Sequence, residues 1–426
     1  MDVRKIIDSL KNCPCGRDHS CDLKEVITGS GIVHSAGQLL AERGFPKRIL
    51  VVADQNTLAA SEGILQSLDA AAFNYSLKLY DDLRVADMEQ VNEIEALLGD
   101  VDGVLSVGSG SLNDICRYAT YTQKKELALF ATAPSMDGFA SGHSPLTYNN
   151  FKITYLAHQP SYILADTKIL AAAPAVLKSS GFGDMIAKYI ALVDWKIANL
   201  ISDEYLCPRV FELTSEGLQR IVALADNITK PDEDAAESVL EALIFTGIAM
   251  HVAGVSRPGS GDEHIVSHFW ECKKLQHGQI SDFHGKKCGV ATVLVNRIYH
   301  KMVEREQVTV QAEQLDWADI QAAYGGELAE EMMQLNAPTT ITADIDPKRL
   351  QAAWPEIRRI VQEELPSDEE LTDLMRRAGA ATTPQEIGVT DELLHLGLKY
   401  HTFMRRRVTL MRLRPMLGFD LDPTKA

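Results

Sequence analysis

KRILVVADQ, residues 47–55, holds an unbroken apolar run from Ile49 to Ala53, rich in β-branched side chains, that ends in a polar turn. A strand with one wet face would alternate apolar and polar residues. A continuous run fits a strand buried on both faces, as in a parallel sheet covered by helices. Outward from it the pattern repeats. Residues 57–69 have helical spacing, FNYSLKLY (73–80) reads as a second strand and MEQVNEIEALLG (88–99) as an amphipathic helix. DGVLSVGSGS (102–111) is a third strand running into a glycine turn, LNDICRYATYTQ follows as a helix, and ELALFATAPS (126–135) is a fourth strand. This alternation predicts an α/β domain with a doubly wound parallel sheet over residues 1–170.

From Ala171 the texture changes. Helical patterns at 183–201, 208–227, 234–252, 262–276, 287–305, 317–336, 348–364, 367–378 and 390–413 predict an all-α domain over 171–426, broken at NITKPDED (227–234) and NAPTTITADIDP (336–347). Two domains also suit a chain of 426 residues. EIRRIVQEELPSDEELTD (356–373) and RRRVTLMRLR (405–414) read as solvated faces.

A net charge of −17 argues against nucleic acid and anionic membranes as partners, so an anionic small substrate would need a local basic or metal site. No run approaches 18 apolar residues and the N-terminus leads into no signal-type apolar core, which predicts a cytoplasmic protein with no membrane insertion. There are seven cysteines. Cys13, Cys15 and Cys21 cluster with His19 in NCPCGRDHSC, either as a small zinc clip of unusual spacing or as an N-terminal loop.

Two loops and three short motifs carry the chemistry. In VGSGSLND (107–114), Gly108 and Gly110 would let the backbone approach a phosphate at the start of a helix. The common dinucleotide fingerprint is not met, because Asn113 stands where its third glycine belongs. Asp54, ending the first strand read above, could accept from a ribose hydroxyl or simply cap the next helix. ATAPSMDGFASGHSPL (131–146) offers hydroxyls at Thr132, Ser135 and Ser141 and a carboxylate at Asp137, among small residues that admit a flat ligand. Asp184 in GFGDMIAKYIALVDW, His264 in SRPGSGDEHIVSH and His284 in SDFHGKKCG supply one carboxylate and two imidazoles. That set suits zinc, nickel or iron and leaves positions open for substrate. His264 and His268 share a helix face, but Ile265 stands where a zinc protease needs glutamate, which argues against a hydrolase.

Taken together, GSGSLNDICRYAT, TAPSMDGFASGHSPL, GFGDMIAKYIALVDWKIA, SRPGSGDEHIVSH and DFHGKKCGVAT resemble the metal-dependent branch of the dehydroquinate synthase-like superfamily over roughly residues 24–300. That branch includes iron-containing alcohol dehydrogenases and glycerol dehydrogenases, and the chain is most similar to its bacterial glycerol-1-phosphate dehydrogenase family. The resemblance implies a metal in the cleft between the two domains. It implies nicotinamide-cofactor contacts at Asp54, Gly110, Ser111, Leu112, Asn113, Asp114, Thr132, Ala133, Pro134, Ser135 and Ser141. Substrate contacts would fall on Asp137, Asp184 and His268, and metal ligands on Asp184, His264 and His284. Asp184 and His268 are the implied catalytic residues, the latter as a proton relay or as support for its neighbours.

The synthase branch carries lysines in the region of TAPSMDG, whereas this chain has none between Lys125 and Lys152, which favours a dehydrogenase. The implied reaction is reversible reduction of dihydroxyacetone phosphate to sn-glycerol 1-phosphate by NADH or NADPH, in a homo-oligomer, with a dimer favoured. Glycerol dehydrogenase and sugar-phosphate cyclase are the rival readings. Lys286, Lys287 and Arg257 are the candidate cations for the substrate phosphate.

Overall fold

The computed structural model describes residues 2–11 and 13–419. Strands β1 (Glu25–Gly29), β2 (Arg48–Asp54), β3 (Asn74–Tyr80), β4 (Gly103–Gly108), β5 (Glu126–Ala131) and β8 (Tyr162–Asp166) form one parallel sheet in the order β1-β8-β5-β4-β2-β3. The run that opened the sequence reading is β2, and it is buried from Ile49 to Asp54. Its period of two sorts the side chains onto opposite faces. Ile49, Val51 and Ala53 pack with Val33, Leu40, Ile64 and Leu68 on one side. Leu50 and Val52 pack with Val91, Ile94, Ile115 and Ala119 on the other.

From β2 the chain crosses to β3 on one side and then to β4 on the other, so the strand order reverses between β2 and β4. The crevice at the carboxyl ends of such a strand pair is where parallel α/β sheets bind ligands. Asp54 ends β2 and Gly108 ends β4 at that crevice, and Gly108 pairs in register with Ala131 at the end of β5.

The sequence reading missed β1 and β8, which enclose the sheet beyond β5. It also missed the antiparallel hairpin of β6 (His143–Tyr148) and β7 (Phe151–Leu156). That hairpin turns at Asn149 and Asn150, both at positive φ (50° and 59°), as a two-residue turn of matching twist requires.

Beyond β8 the described elements are helical. The helix expected at 57–69 is two pieces, Gln55–Ala60 and Ile64–Ala70, separated at Gly63 with φ 102°. The one expected at 317–336 breaks at Gly325 and Gly326, also at positive φ. The 405–414 stretch is no surface face. Leu410, Met411 and Leu413 are core residues, and buried Arg412 pairs with Glu313 at 2.6 Å. Glu233–Ala253 is apolar and long enough to cross a membrane by composition, but 72% of its most apolar window is buried inside the fold. It is a core helix. Leu240, Ile244 and Ile248 pack toward the sheet, and Val239 and Leu243 pack among the helices.

Candidate functional site

Asp184 lies in the Ala175–Ile186 helix and His284 begins the His284–Val303 helix. These two helices approach closely because glycines face each other. A Cβ on Gly183 would lie 2.5 Å from the Gly285 carbonyl oxygen, and one on Gly285 would lie 2.0 Å from that of Ser180. No side chain fits in either place. His264 comes from the first turn of the Asp262–Gln276 helix. The three residues converge, with Asp184 Oδ1 3.3 Å from His264 Nε2 and 3.8 Å from His284 Nε2.

Ligands at about 2.0–2.2 Å from one ion lie about 3.3–3.6 Å apart in a tetrahedron. The Asp184–His264 separation matches such an edge, and the Asp184–His284 separation of 3.8 Å is slightly longer than one. Asp184 Oδ1 is buried and has no hydrogen-bond partner; the Lys188 ammonium stands 3.7 Å away, beyond hydrogen-bond reach, so the oxygen keeps a lone pair open to a cation. The donor set therefore fits a divalent metal. Cys288, one turn after His284, places its Sγ in the same group of ligand atoms, all within 4.8 Å of one another.

The surroundings orient these donors. Glu263 Oε1 lies 2.6 Å from His264 Nδ1, so that nitrogen carries the proton and Nε2 faces the centre. Lys188, fully buried, donates to Asp137 Oδ2 at 2.5 Å and to the carbonyls of Asp184 and Gly259 at 2.8 and 3.0 Å. Burial alone would raise the Asp184 carboxyl, but Lys188 and the two imidazoles outweigh it and hold Asp184 far below the usual carboxylate range. Burial, then the charges of Arg405 and His284, push His268 well below the usual histidine range, so its ring is neutral. Its Nδ1 has no partner, and the ring stacks on His284 at 5.5 Å.

One loop joins this centre to the carboxyl end of the sheet. The segment after β5 runs past the Ser109 turn, where the Ser135 and Ser109 hydroxyls hydrogen-bond. It then reaches the Asp184–His264–His284 cluster, where the Asp137 amide donates to Asp184 Oδ2 at 2.8 Å. Ala133 and Pro134 are buried beneath the Ala175–Ile186 helix, and Gly181 makes room for the Pro134 carbonyl. Thr132 donates its amide to Gly108 O at 3.2 Å, and Ser141 Oγ accepts from the His143 amide at 3.0 Å. Ser109, Gly110 and Ser111 are partly exposed at the start of the Gly110–Thr122 helix.

Other candidate side chains turn inward. Leu112 joins the core, Asn113 Oδ1 accepts from Ser106 Oγ at 2.9 Å, and Asp114 pairs with buried Arg117 at 2.6 Å. Arg117 also donates to the carbonyls of Gly138 and Phe139, fixing the 131–146 loop. Asp54 caps the Gln55–Ala60 helix, accepting from the Thr57 amide at 2.8 Å, while standing at the crevice.

The three cations read as phosphate ligands are otherwise engaged. Lys286 pairs with Asp282, Lys287 with Glu271, and Arg257 with Glu204 through two 2.5 Å bonds. Arg405 is different. Its guanidinium donates to Thr154 Oγ1 at 2.9 Å, has no carboxylate partner among the described residues, and acts electrostatically on His268. Sequence reasoning missed Lys188, Cys288 and Arg405. The first two sit one helical turn after Asp184 and His284, a spacing that could have flagged them.

The family model for iron-containing alcohol dehydrogenases matches residues 27–174. A glycerol-1-phosphate dehydrogenase (NAD(P)+) of Geobacillus stearothermophilus is 29% identical over 417 residues, 96% of each chain. Its namesake from Halalkalibacterium halodurans is 34% identical over 310 residues, covering 71% of this chain and 77% of that protein. Among solved structures, a probable glycerol dehydrogenase from Sinorhizobium meliloti superposes with a TM-score of 0.62 at 13% identity, covering 95% of this chain and 98% of that one, a likeness of fold.

Proposed function

The chain belongs to the glycerol-1-phosphate dehydrogenase family, and on that premise we propose that it reversibly reduces the C2 carbonyl of dihydroxyacetone phosphate to sn-glycerol 1-phosphate with NADH or NADPH. The observation that carries this reading is the loop after β5. It touches the turn after β4 through Ser135 and the Asp184 carboxylate through Asp137, so a nucleotide lying along the crevice would bring its nicotinamide to the metal centre. When bound, the divalent ion supplies Lewis-acid polarisation of the ketone, and the dihydronicotinamide supplies the hydride.

The chain's own residues do the rest. Asp184, His264 and His284 hold the ion, and zinc, nickel and iron all suit that set. The turn at Ser109–Ser111 receives the pyrophosphate at the helix start, with Asp54 beside the ribose. Leu112, Asn113 and Asp114 shape this turn from within, while Thr132 to Ser135 and Ser141 wall the nicotinamide end. Lys188 fixes Asp137 and Asp184 against each other, holding the Asp137 backbone where the substrate enters. His268 is neutral, and its unpartnered Nδ1 is free to hydrogen-bond a substrate hydroxyl. Arg405 receives the phosphate.

The test is NADH oxidation with dihydroxyacetone phosphate against dihydroxyacetone. Charge-assisted bonds of about 1.5–3 kcal/mol each, lost with the phosphate, predict a preference in kcat/KM of at least about 10²-fold. Arg405→Met should lower kcat/KM for dihydroxyacetone phosphate far more than for the unphosphorylated ketone, and so erode that preference. Equal use of the two ketones by the wild type would move the reading to glycerol dehydrogenase.

A further inference from the structure

A second set of potential ligand side chains, sharing no residue with this centre, also meets. Cys13, Cys15 and His19 come from the N-terminal segment, and Cys207 caps the Pro208–Val222 helix, 194 residues along the chain from Cys13. Their four ligand atoms all lie within 4.8 Å of one another. Cys13 Sγ is 3.4 Å from Cys207 Sγ, and His19 Nε2 is 3.1 Å from Cys15 Sγ and 3.7 Å from Cys207 Sγ. Sulfur at about 2.3 Å and nitrogen at about 2.0–2.1 Å from a tetrahedral zinc would be separated by about 3.5–3.8 Å, so the four donors already stand close to the corners of that tetrahedron. The sulfurs are far from the about 2.05 Å of a disulfide, and all seven cysteines are free.

The supporting contacts have the form that metal ligands require. His19 Nδ1 lies 2.8 Å from the Val252 carbonyl, so Nδ1 carries the proton and the Nε2 lone pair faces the sulfurs. Tyr205 donates its hydroxyl to Cys15 Sγ at 3.4 Å, and the Arg17 guanidinium lies over the Tyr205 ring at 3.5 Å. Gly16 sits at φ 75°, and its amide donates to the Cys13 carbonyl, closing a tight turn over residues 13–16 that holds both cysteines. Cys21, which the sequence grouped with these residues, stands outside the set, and Cys207 takes its place.

We propose that Cys13, Cys15, His19 and Cys207 form a closed Cys3His site for one structural zinc ion, distinct from the Asp184 centre, that pins the N-terminal segment to the helical half of the chain. Three thiolates and one imidazole fill a tetrahedron and leave no position for substrate, the pattern of a structural rather than a catalytic zinc. Residues 13–24 contain no helix or strand of their own, so the ion would supply the order that regular hydrogen bonding does not.

The test is metal content by mass spectrometry on full-length protein purified from zinc-replete medium. Cys15→Ser should carry one zinc per chain fewer than wild type, while His264→Ala should keep this zinc. Should Cys15→Ser fail to fold, differential alkylation of the wild type gives an independent readout. Cys13, Cys15 and Cys207 should resist labelling until a chelator is added, and thermal stability should fall as they become reactive. Equal zinc in wild type and Cys15→Ser, labelling of these three cysteines without chelator, or a Cys13–Cys207 disulfide in a non-reducing peptide map would each overturn the proposal.

Discussion

Gly285→Ala tests whether the proposed metal centre depends on the close approach of its two helices. The added Cβ would lie 2.0 Å from Ser180 O and 2.9 Å from Asp184 Cβ. Real contacts of this kind essentially never fall under 3.0 Å, so the helices must part by about 1 Å. His284 precedes residue 285 and moves with it, away from Asp184. Misplacing a reacting group by about 1 Å can lower turnover by about 10²-fold, equivalent to about 2.7 kcal/mol. The overpacking itself should lower stability by about 1–3 kcal/mol. The assay is NADH-linked reduction of dihydroxyacetone phosphate, together with metal content and urea unfolding of the same preparation. Gly217→Ala is the control, because its Cβ meets Phe245 at an ordinary 3.6 Å and alanine favours the helix by about 1 kcal/mol. A Gly285→Ala protein with wild-type metal content and kcat/KM within about threefold of wild type would refute the packing argument.

Lys188→Met leaves the Asp137 carboxylate buried without its cation and should lower the unfolding free energy by about 3–5 kcal/mol. Adding Asp137→Asn should restore part of that loss, and strict additivity in urea titrations would contradict the pairing. Asp54→Ala should lower stability by about 1 kcal/mol through the lost cap. Asp54→Asn should keep the cap and raise kcat/KM for NADPH relative to NADH, and an unchanged ratio would remove Asp54 from the nucleotide site. Burial, aided by Arg117, lowers His158 to about 4, below its unfolded value of about 6.5. The unfolded chain then binds the extra proton between those values, so stability is intact above about pH 6.5 and falls toward about pH 4, by up to about 3 kcal/mol. His158→Gln should flatten that slope in pH-dependent unfolding curves, and an identical slope would show that another group sets it.

The fold was legible where burial leaves a continuous record in one segment. β2, β4 and β5 are apolar on both faces, and the long helices carry their own period. β1 and β8 were not, because each is five residues long and owes its place to pairing with a distant strand. Helix interruptions at Gly63 and Gly325 depend on a left-handed φ that spacing does not report. Asp184, His264 and His284 stood out through their motifs. Lys188 and Cys288 read as ordinary helix residues, although each lies one turn from a candidate ligand, Asp184 or His284. Arg405 and Cys207 were beyond reach, since their meaning comes from His268 and Cys13, more than a hundred residues away in each case. Arg257 and Lys287 looked available only because Glu204 and Glu271 are remote enough in sequence to hide the pairing.

The stereochemistry of the product tests the central claim most directly. Dihydroxyacetone phosphate and NADH are incubated with the metal-loaded chain until NADH is consumed. The phosphorylated product is then offered, with NAD+, to a dehydrogenase specific for sn-glycerol 3-phosphate. The account predicts that NADH is oxidised in the first step and that nothing is oxidised in the second, because the product is sn-glycerol 1-phosphate. Full consumption of the product by that second enzyme would contradict it.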